Sequence, residues 1–190
     1  MEIVLLITSI LLVAFASLAV VDGFYLHIFR YQLHNQKESR SEHLTHTIRA
    51  ILFPAIVYFL FLKQNSAMSF YIGISLVFID MIVLTIDAYI EKDSRAFMGG
   101  LPRWEYILHL FVNGFHFSSI AVFLVAKLNF SDNGIEIVAD LSYLKNFLFF
   151  EFIVFNLIPG AILLAFIHVF ISFKSTAIYW NVWRAKITCC

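Results

Sequence analysis

The sequence predicts an all-α integral membrane protein, one domain over residues 1–190, built as a bundle of five transmembrane helices. Of its 190 residues, 61% are hydrophobic and 14% are charged, whereas soluble domains carry roughly 25% charged residues. A core of this size cannot hide so much apolar surface from water, so lipid has to solvate much of it. The formal net charge is zero, which gives no general electrostatic attraction to nucleic acid.

Five apolar segments are each near the roughly 20 residues that a bilayer requires. The first has no Lys or Arg before its apolar run and is longer than the core of a signal peptide, so we interpret it as a retained helix. The predicted spans are 3–30, 45–63, 67–90, 103–127 and 146–173.

The basic residues predict the orientation, because Lys and Arg are enriched in cytoplasmic loops. Ten of the 13 fall on one side of the predicted membrane and three on the other. We therefore expect the N-terminus outside and the C-terminus in the cytoplasm. The three on the outer side are Lys63, Lys127 and Lys145.

Prolines and glycines predict local features of these helices. Pro54 should kink the second helix, and Pro159 should bend the fifth. Gly73 and Gly114 should permit close contact between helices.

Two helix faces carry acids and histidines where a membrane helix should have none. In each helix the spacing places three such residues on one face, at 100° per residue. They are Asp80, Asp87 and Glu91 in the third helix, and Glu105, His109 and His116 in the fourth.

All seven histidines fall on the predicted cytoplasmic side. From the helical rise, several of them lie roughly 5–10 Å inside that boundary, whereas Asp80 and His116 reach close to the middle of the bilayer. Ionisable groups at such depth usually face a partner, a cavity or an ion. We therefore predict direct or metal-bridged contact between Asp80 and His116.

These groups predict a metal site facing the cytoplasm, because helix bundles hold metals with Glu and His that project inward from facing helices. Imidazole and carboxylate suit iron or zinc, and their number suffices for two ions. The predicted ligands are Asp22, His27, His46, Asp80, Asp87, Glu105, His109 and His116, with Glu91, His43 and His168 as further candidates.

Other polar residues have a simpler interpretation. We interpret Glu42 and His43 as residues that cap and solvate the start of the second helix, and His34 as a surface residue. Glu91 and Arg95 similarly suit a solvated loop. The pair Cys189 and Cys190 could carry a lipid at the membrane surface.

The site design resembles that of membrane di-iron hydroxylases and desaturases, in which apolar helices carry cytoplasmic histidine ligands. Their HxxxH and HxxHH boxes are absent, and only His43-Leu-Thr-His46 approximates a fragment of one. The resemblance implies oxidation of a membrane lipid or another apolar substrate, with an electron-donor protein as a partner.

Three alternatives share the same residues. The first is a zinc-dependent hydrolase of lipids, in which the metal lowers the pKa of bound water to about 7. The second is an electron-transfer protein with a b-type haem held by His46 and His109, or by His109 and His168. The third is a transporter of protons or divalent metal through Asp80 and His116.

Overall fold

The computed structural model describes residues 3–132 and 134–188, and five long helices dominate it. All five are long and apolar enough to cross a membrane, which agrees with the predicted helical bundle. The elements in chain order are α1 (Val4–Arg30), α2 (Arg40–Leu62), α3 (Ala67–Ser94), α4 (Arg103–Lys127), β1 (Leu128–Ser131), β2 (Gly134–Ile137), α5 (Phe147–Ser172) and α6 (Lys174–Thr188).

The helices pack around a shared interior. Helix α1 lies against α4 and α5, and α2 lies against α3 and α5. The consecutive helices α3 and α4 approach each other less closely, and they meet through long polar side chains. These acids and histidines line the interior between α1, α2, α3 and α4 at one end of the bundle, which is called the polar end.

The opposite end of the bundle is an apolar core. Phe61 and Phe123 meet edge to face with ring centroids 4.9 Å apart, and Phe123 stacks on Phe150 at 5.8 Å. Leu5 and Leu12 of α1 complete the centre and are fully buried. Between helices that lipid surrounds, such side chains stabilise through close van der Waals packing, so this end holds together the bundle that positions the polar end.

A buried lysine fastens the loop at the apolar end. Lys127, the last residue of α4, is 1% exposed. Its Nζ donates to the backbone oxygens of Gln64 and Val138 and lies 3.4 Å from that of Ala139. The ammonium thus joins the α2–α3 turn to the chain that follows the antiparallel β1–β2 hairpin, an element the sequence did not predict.

Pro54 and the two glycines that were singled out in the sequence of the helices have different outcomes. Helix α2 continues past Pro54 and becomes π-helical over Val57–Leu62. A Cβ on Gly73 would lie 2.8 Å from the Cβ of Leu60, which confirms the predicted close contact. The prediction for Gly114 is wrong, because a Cβ there would meet nothing within 4 Å.

The chain after α5 is helical and folds over the polar end of the bundle. The Asn181 side chain exchanges hydrogen bonds with Asn35 in the α1–α2 connection, at 3.0 and 3.2 Å. Arg184 donates its Nε–H to the backbone oxygen of Phe29 near the end of α1. Cys189 and Cys190, where lipidation was considered, lie outside the described residues.

Candidate metal centre

A π-helical segment brings two predicted ligands together on α1. Residues Val20–Arg30 form a π-helix, in which each backbone N–H bonds to the residue five positions earlier. Asp22 and His27 are five apart and therefore align, whereas an α-helix would separate them by about 140°. The Nε2 atom of His27 lies 3.3 Å from Oδ1 of Asp22.

The first ligand group, defined as Asp22, His27, Glu105 and His109, joins α1 to α4. One ligand atom from each of the four lies within 4.8 Å of all the others. Nε2 of His109 is 3.0 Å from Oδ1 of Asp22, and Nε2 of His27 is 3.7 Å from Oε1 of Glu105. Neighbouring ligands of one ion with bonds of about 2.1 Å lie about 3.0–3.5 Å apart, so the group is close to a coordination geometry.

The second ligand group, defined as His27, Glu42 and His46, joins α1 to α2. Nε2 of His27 and Nε2 of His46 each lie 4.0 Å from Oε1 of Glu42. Asp87 of α3 adjoins this group, with its Oδ2 3.3 Å from Nε2 of His46. His27 belongs to both groups, and its ring centroid is 4.1 Å from that of His46 and 5.7 Å from that of His109.

Three residues of this centre were misjudged from the sequence. Glu91, interpreted as part of a solvated loop, lies in helix α3 with its Oε1 2.6 Å from Nδ1 of His109. Glu42, interpreted as a solvated helix start, is 0% exposed. Arg95, interpreted as part of a solvated loop, is also 0% exposed. Its guanidinium NH2 lies 2.7 Å from Oε1 of Glu42 and 2.8 Å from Oε1 of Glu105. The sequence signal was ambiguous because a polar helix end has the same composition whether it faces water or the protein interior.

Several atoms at the middle of the centre have no hydrogen bond among the described residues. They are both ring nitrogens of His27, Nε2 of His46, Oε1 of Glu42 and both carboxylate oxygens of Glu105. Buried polar atoms are nearly always hydrogen-bonded, and each exception requires an explanation such as an ion. Bound cations would coordinate Nε2 of His27 and Nε2 of His46. They would share Oε1 of Glu42 and Oε1 of Glu105 with the Arg95 guanidinium.

The centre also carries an excess of negative charge. Five carboxylates meet here with one guanidinium, which gives a formal charge of −4 when the imidazoles are neutral. The charge is −3 when His109, whose two ring nitrogens both face carboxylate oxygens, is protonated. The carboxylates belong to Asp22, Glu42, Asp87, Glu91 and Glu105, and the guanidinium to Arg95. Such a charge in a protein interior is strongly unfavourable unless cations balance it.

Neighbouring groups orient the ligands. Oε1 of Glu91 lies 2.6 Å from Nδ1 of His109, the nitrogen on the far side of the ring from Asp22. The Thr45 hydroxyl donates to Asp87, and the Ser94 hydroxyl donates to Glu42. Carboxylates and hydroxyls in these positions fix the rotamer and the tautomer of metal ligands.

Asp80 and His116 form a separate polar network deeper in the bundle. Oδ2 of Asp80 is 3.3 Å from Nε2 of His116, which confirms the predicted contact. Arg49 donates to Oδ1 of Asp80 at 3.0 Å and to Oδ1 of Asn113 at 2.8 Å. A guanidinium therefore supplies the charge that pairs with Asp80, and neither Asp80 nor His116 belongs to the two ligand groups.

The three remaining histidines gather at α5. The rings of His43 and His168 stack with centroids 5.6 Å apart, and His34 lies 5.8 Å from His43. His34, interpreted as a surface residue, is half-buried, and burial lowers its pKa. Gly23 of α1 lies beside His168, because a Cβ at that position would be in ordinary contact with Nε2, at 3.5 Å.

A cavity of about 80 Å³ lies between the ligand groups and the deeper network. All five long helices line it, and its polar wall contains Asp22, His46, Arg49, Asp80 and His168. It is large enough for a few ordered waters. The cavity therefore adjoins both ligand groups, through Asp22 and through His46.

An arginine–tyrosine contact covers the centre at the end of the bundle. The Arg95 guanidinium lies 5.2 Å from the centroid of the Tyr31 ring. Burial and the nearby Glu105 carboxylate raise the pKa of Tyr31, so its phenol stays neutral at physiological pH.

Comparison with known proteins adds no family to this description, since no protein-family profile, curated protein or solved structure matches the chain significantly.

Proposed function

We propose that this protein is an integral membrane metalloenzyme with two metal ions, iron or zinc, at the polar end of its helix bundle. The observation that carries the proposal is the pair of adjoining ligand groups, in which buried atoms of His27, Glu42, His46 and Glu105 have no hydrogen bond within the described residues. Cations satisfy such atoms and reduce the negative charge that they create together.

The division of ligands supports two ions. Asp22, Glu105 and His109 would hold one ion, and Glu42, His46 and Asp87 would hold the other. Nε2 of His27 can bind only one ion at a time, and the Asp22 side is favoured because that contact is shorter, 3.3 Å against 4.0 Å to Glu42. Two divalent ions would also balance the formal charge of −4.

The adjoining cavity supports catalysis over a purely structural role, because catalytic metal sites keep an open position whereas structural sites are closed. Asp22 and His46 face the cavity, so a small molecule there would lie beside both ions. Glu91 would hold the His109 ring in place while a ligand exchanges. The buried surroundings would keep bulk water away from the reacting atoms.

We favour oxidation of a lipid or another apolar substrate. Bound iron would supply the activation of O₂, and an electron-donor protein would supply the reducing equivalents that hydroxylation or desaturation requires.

A zinc-dependent hydrolase of lipids is the second candidate, because the cavity beside the ligands has the size of a few water molecules. The same His and carboxylate set would bind zinc, which would supply an activated water. Metal identity separates the two candidates.

Haem and transport are less consistent with the geometry. The His27 ring has its centroid 4.1 Å from that of His46 and 5.7 Å from that of His109, which leaves no room for a macrocycle between His46 and His109. For transport, the core around Phe61, Phe123 and Phe150 lies between the cavity and the far end of the bundle.

The test is elemental analysis and an optical spectrum of the purified protein, with the His109→Ala variant beside the wild type. We expect about two metal ions per chain in the wild type. Losing a ligand should weaken metal affinity by more than about tenfold, since even supporting residues contribute that much. Iron with O₂ consumption on lipid addition supports the oxidase, and zinc with lipid hydrolysis supports the hydrolase.

The matched control is His34→Ala, which removes an imidazole outside both ligand groups and should keep the metal content of the wild type. Wild-type protein that binds neither iron nor zinc, or His109→Ala with undiminished metal, would contradict the proposal. A Soret band would favour the haem alternative.

A further inference from the structure

A second, larger recess opens at the same end of the bundle as the metal centre. This groove has a volume of about 660 Å³. It lies between the α1–α2 connection, the first turns of α2, the end of α5 and the start of α6. The volume is in the range of sites that bind small organic molecules.

The rim of the groove is basic. Arg40 begins α2 and Lys174 begins α6, and both side chains are exposed. Neither forms an ion pair with an acid among the described residues, and no acidic residue lines the groove. Two uncompensated cations at the boundary of an apolar bundle attract an anion.

Buried polar side chains line the floor of the groove. His43 is 5% exposed, and its Nε2 lies 3.0 Å from the Ser172 hydroxyl. Its Nδ1 has no hydrogen-bond partner within the described part of the chain, and neither does Nδ1 of His34. The Ser172 hydroxyl donates to the backbone oxygen of His168, so His43 donates through Nε2 and its Nδ1 remains an acceptor. A hydroxyl group of the ligand can donate to such a buried acceptor.

The rest of the lining is apolar. Leu44, Ile171 and Ile178 contribute hydrocarbon surface beside the charged rim. A ligand that matches the groove is therefore amphipathic, with an anionic group and a hydrocarbon part. Inorganic phosphate would match only the rim.

Stacked imidazoles connect the groove with the interior. His43 lines the groove, His168 lines the cavity beside the ligand groups, and the two rings stack at 16°. These two stacked rings thus separate the groove from the cavity that adjoins the ligand groups.

We propose that the groove binds the anionic headgroup of a membrane lipid, with Arg40 and Lys174 as the charged contacts. That this lipid is also the substrate rests on the proposed function, whereas the binding itself does not. The headgroup would hold the lipid at the membrane boundary and leave its chain free to reach the interior of the bundle.

The experiment is native mass spectrometry of the purified full chain in detergent. The probes are dioleoylphosphatidylglycerol, which is anionic, and dioleoylphosphatidylcholine, which is zwitterionic. The Arg40→Gln/Lys174→Gln variant should lose about 10- to 30-fold of the preference for the anionic lipid, since each basic residue near an anionic surface contributes about fivefold.

The matched control is Lys92→Gln/Arg103→Gln, which removes two exposed cations at the same end of the bundle, outside the groove. It should keep the wild-type preference. Equal loss in both double variants, or a wild type without preference, would overturn the proposal. Displacement of the anionic lipid by millimolar inorganic phosphate would also overturn it, because the groove would then be a site for the free anion.

Two further measurements separate this proposal from the proposed function. Chelator-treated protein should keep its lipid preference, and the groove variant should keep its metal. Protein that prefers the anionic lipid but never binds metal would end the metalloenzyme proposal and leave the lipid site intact. A preference that disappears with the metal would contradict an independent groove.

Discussion

Replacing Asp80 with Asn tests the deeper polar network, because the change keeps the shape of the side chain and removes its charge. The side chains of Arg49 and Asp80 are 14% and 4% exposed, with Arg49 Nε 3.0 Å from Asp80 Oδ1. In the variant, a buried guanidinium keeps only neutral partners. Breaking a buried pair in this way destabilises a protein by about 3–5 kcal/mol. We expect the lower end, about 3 kcal/mol, because Asn still accepts a hydrogen bond.

In a chain of this size, 1 kcal/mol shifts the Tm by roughly 2–4 °C, so a decrease of about 10 °C is expected. The assay is thermal unfolding in detergent, followed by tryptophan fluorescence at one scan rate. Asp93→Asn, an exposed acid on the same helix, is the control and should leave the Tm unchanged. The double variant Arg49→Met/Asp80→Asn removes both charges and should recover most of the loss.

A Tm within about 2 °C of the wild type, or a double variant whose loss equals the sum of the single losses, would refute the coupling. Metal content gives a second readout. Asp80 lies outside both ligand groups, so Asp80→Asn should keep the wild-type metal. Loss of metal together with stability would instead restore Asp80 as a ligand, the role that the sequence predicted for it.

Three further predictions concern the buried lysine, the glycine contact between α2 and α3, and the effect of pH on metal binding. Lys127→Met should destabilise the protein by about 3 kcal/mol in thermal unfolding, because buried carbonyl oxygens lose their donor, whereas Lys63→Met at an exposed position should not. Gly73→Ala should destabilise by about 1–3 kcal/mol through its clash with Leu60, and equal stability of Gly73→Ala and Gly114→Ala would contradict that clash. Acidification should weaken metal affinity, since protons compete with the metal for imidazole and carboxylate ligands; the same affinity at neutral pH and in strong acid would argue against these ligands.

The spans were predictable because membrane thickness limits helix length. The fourth predicted span coincides with α4, residues Arg103–Lys127, and the others differ at their ends. Helix α2 begins at Arg40, five residues before the predicted start, because its polar first turns face the interior. The Asp80–His116 contact was predictable because depth along two consecutive antiparallel helices can be counted from the sequence.

Long-range partners could not be predicted in the same way. Glu42 and Arg95 lie 53 positions apart in the sequence, and each is surrounded by residues that suit a solvated helix end. Their burial depends on how α2 and α4 meet the end of α3, which a helical period does not reveal. The Asp22–His27 pairing was hidden for another reason, since a 3.6-residue period places those residues on different faces.

The π-helical end of α1 makes the number of residues in this segment a functional constraint, independent of their identity. Removing one residue between Asp22 and His27 would place them four apart, where an ordinary α-helix also aligns them. Removing one residue just before Asp22 would instead favour a regular helix that separates them. The deletion of a single residue is therefore expected to be tolerated after Asp22 and harmful before it. In variant surveys of this protein, single-residue deletions on the two sides of that aspartate should have opposite outcomes.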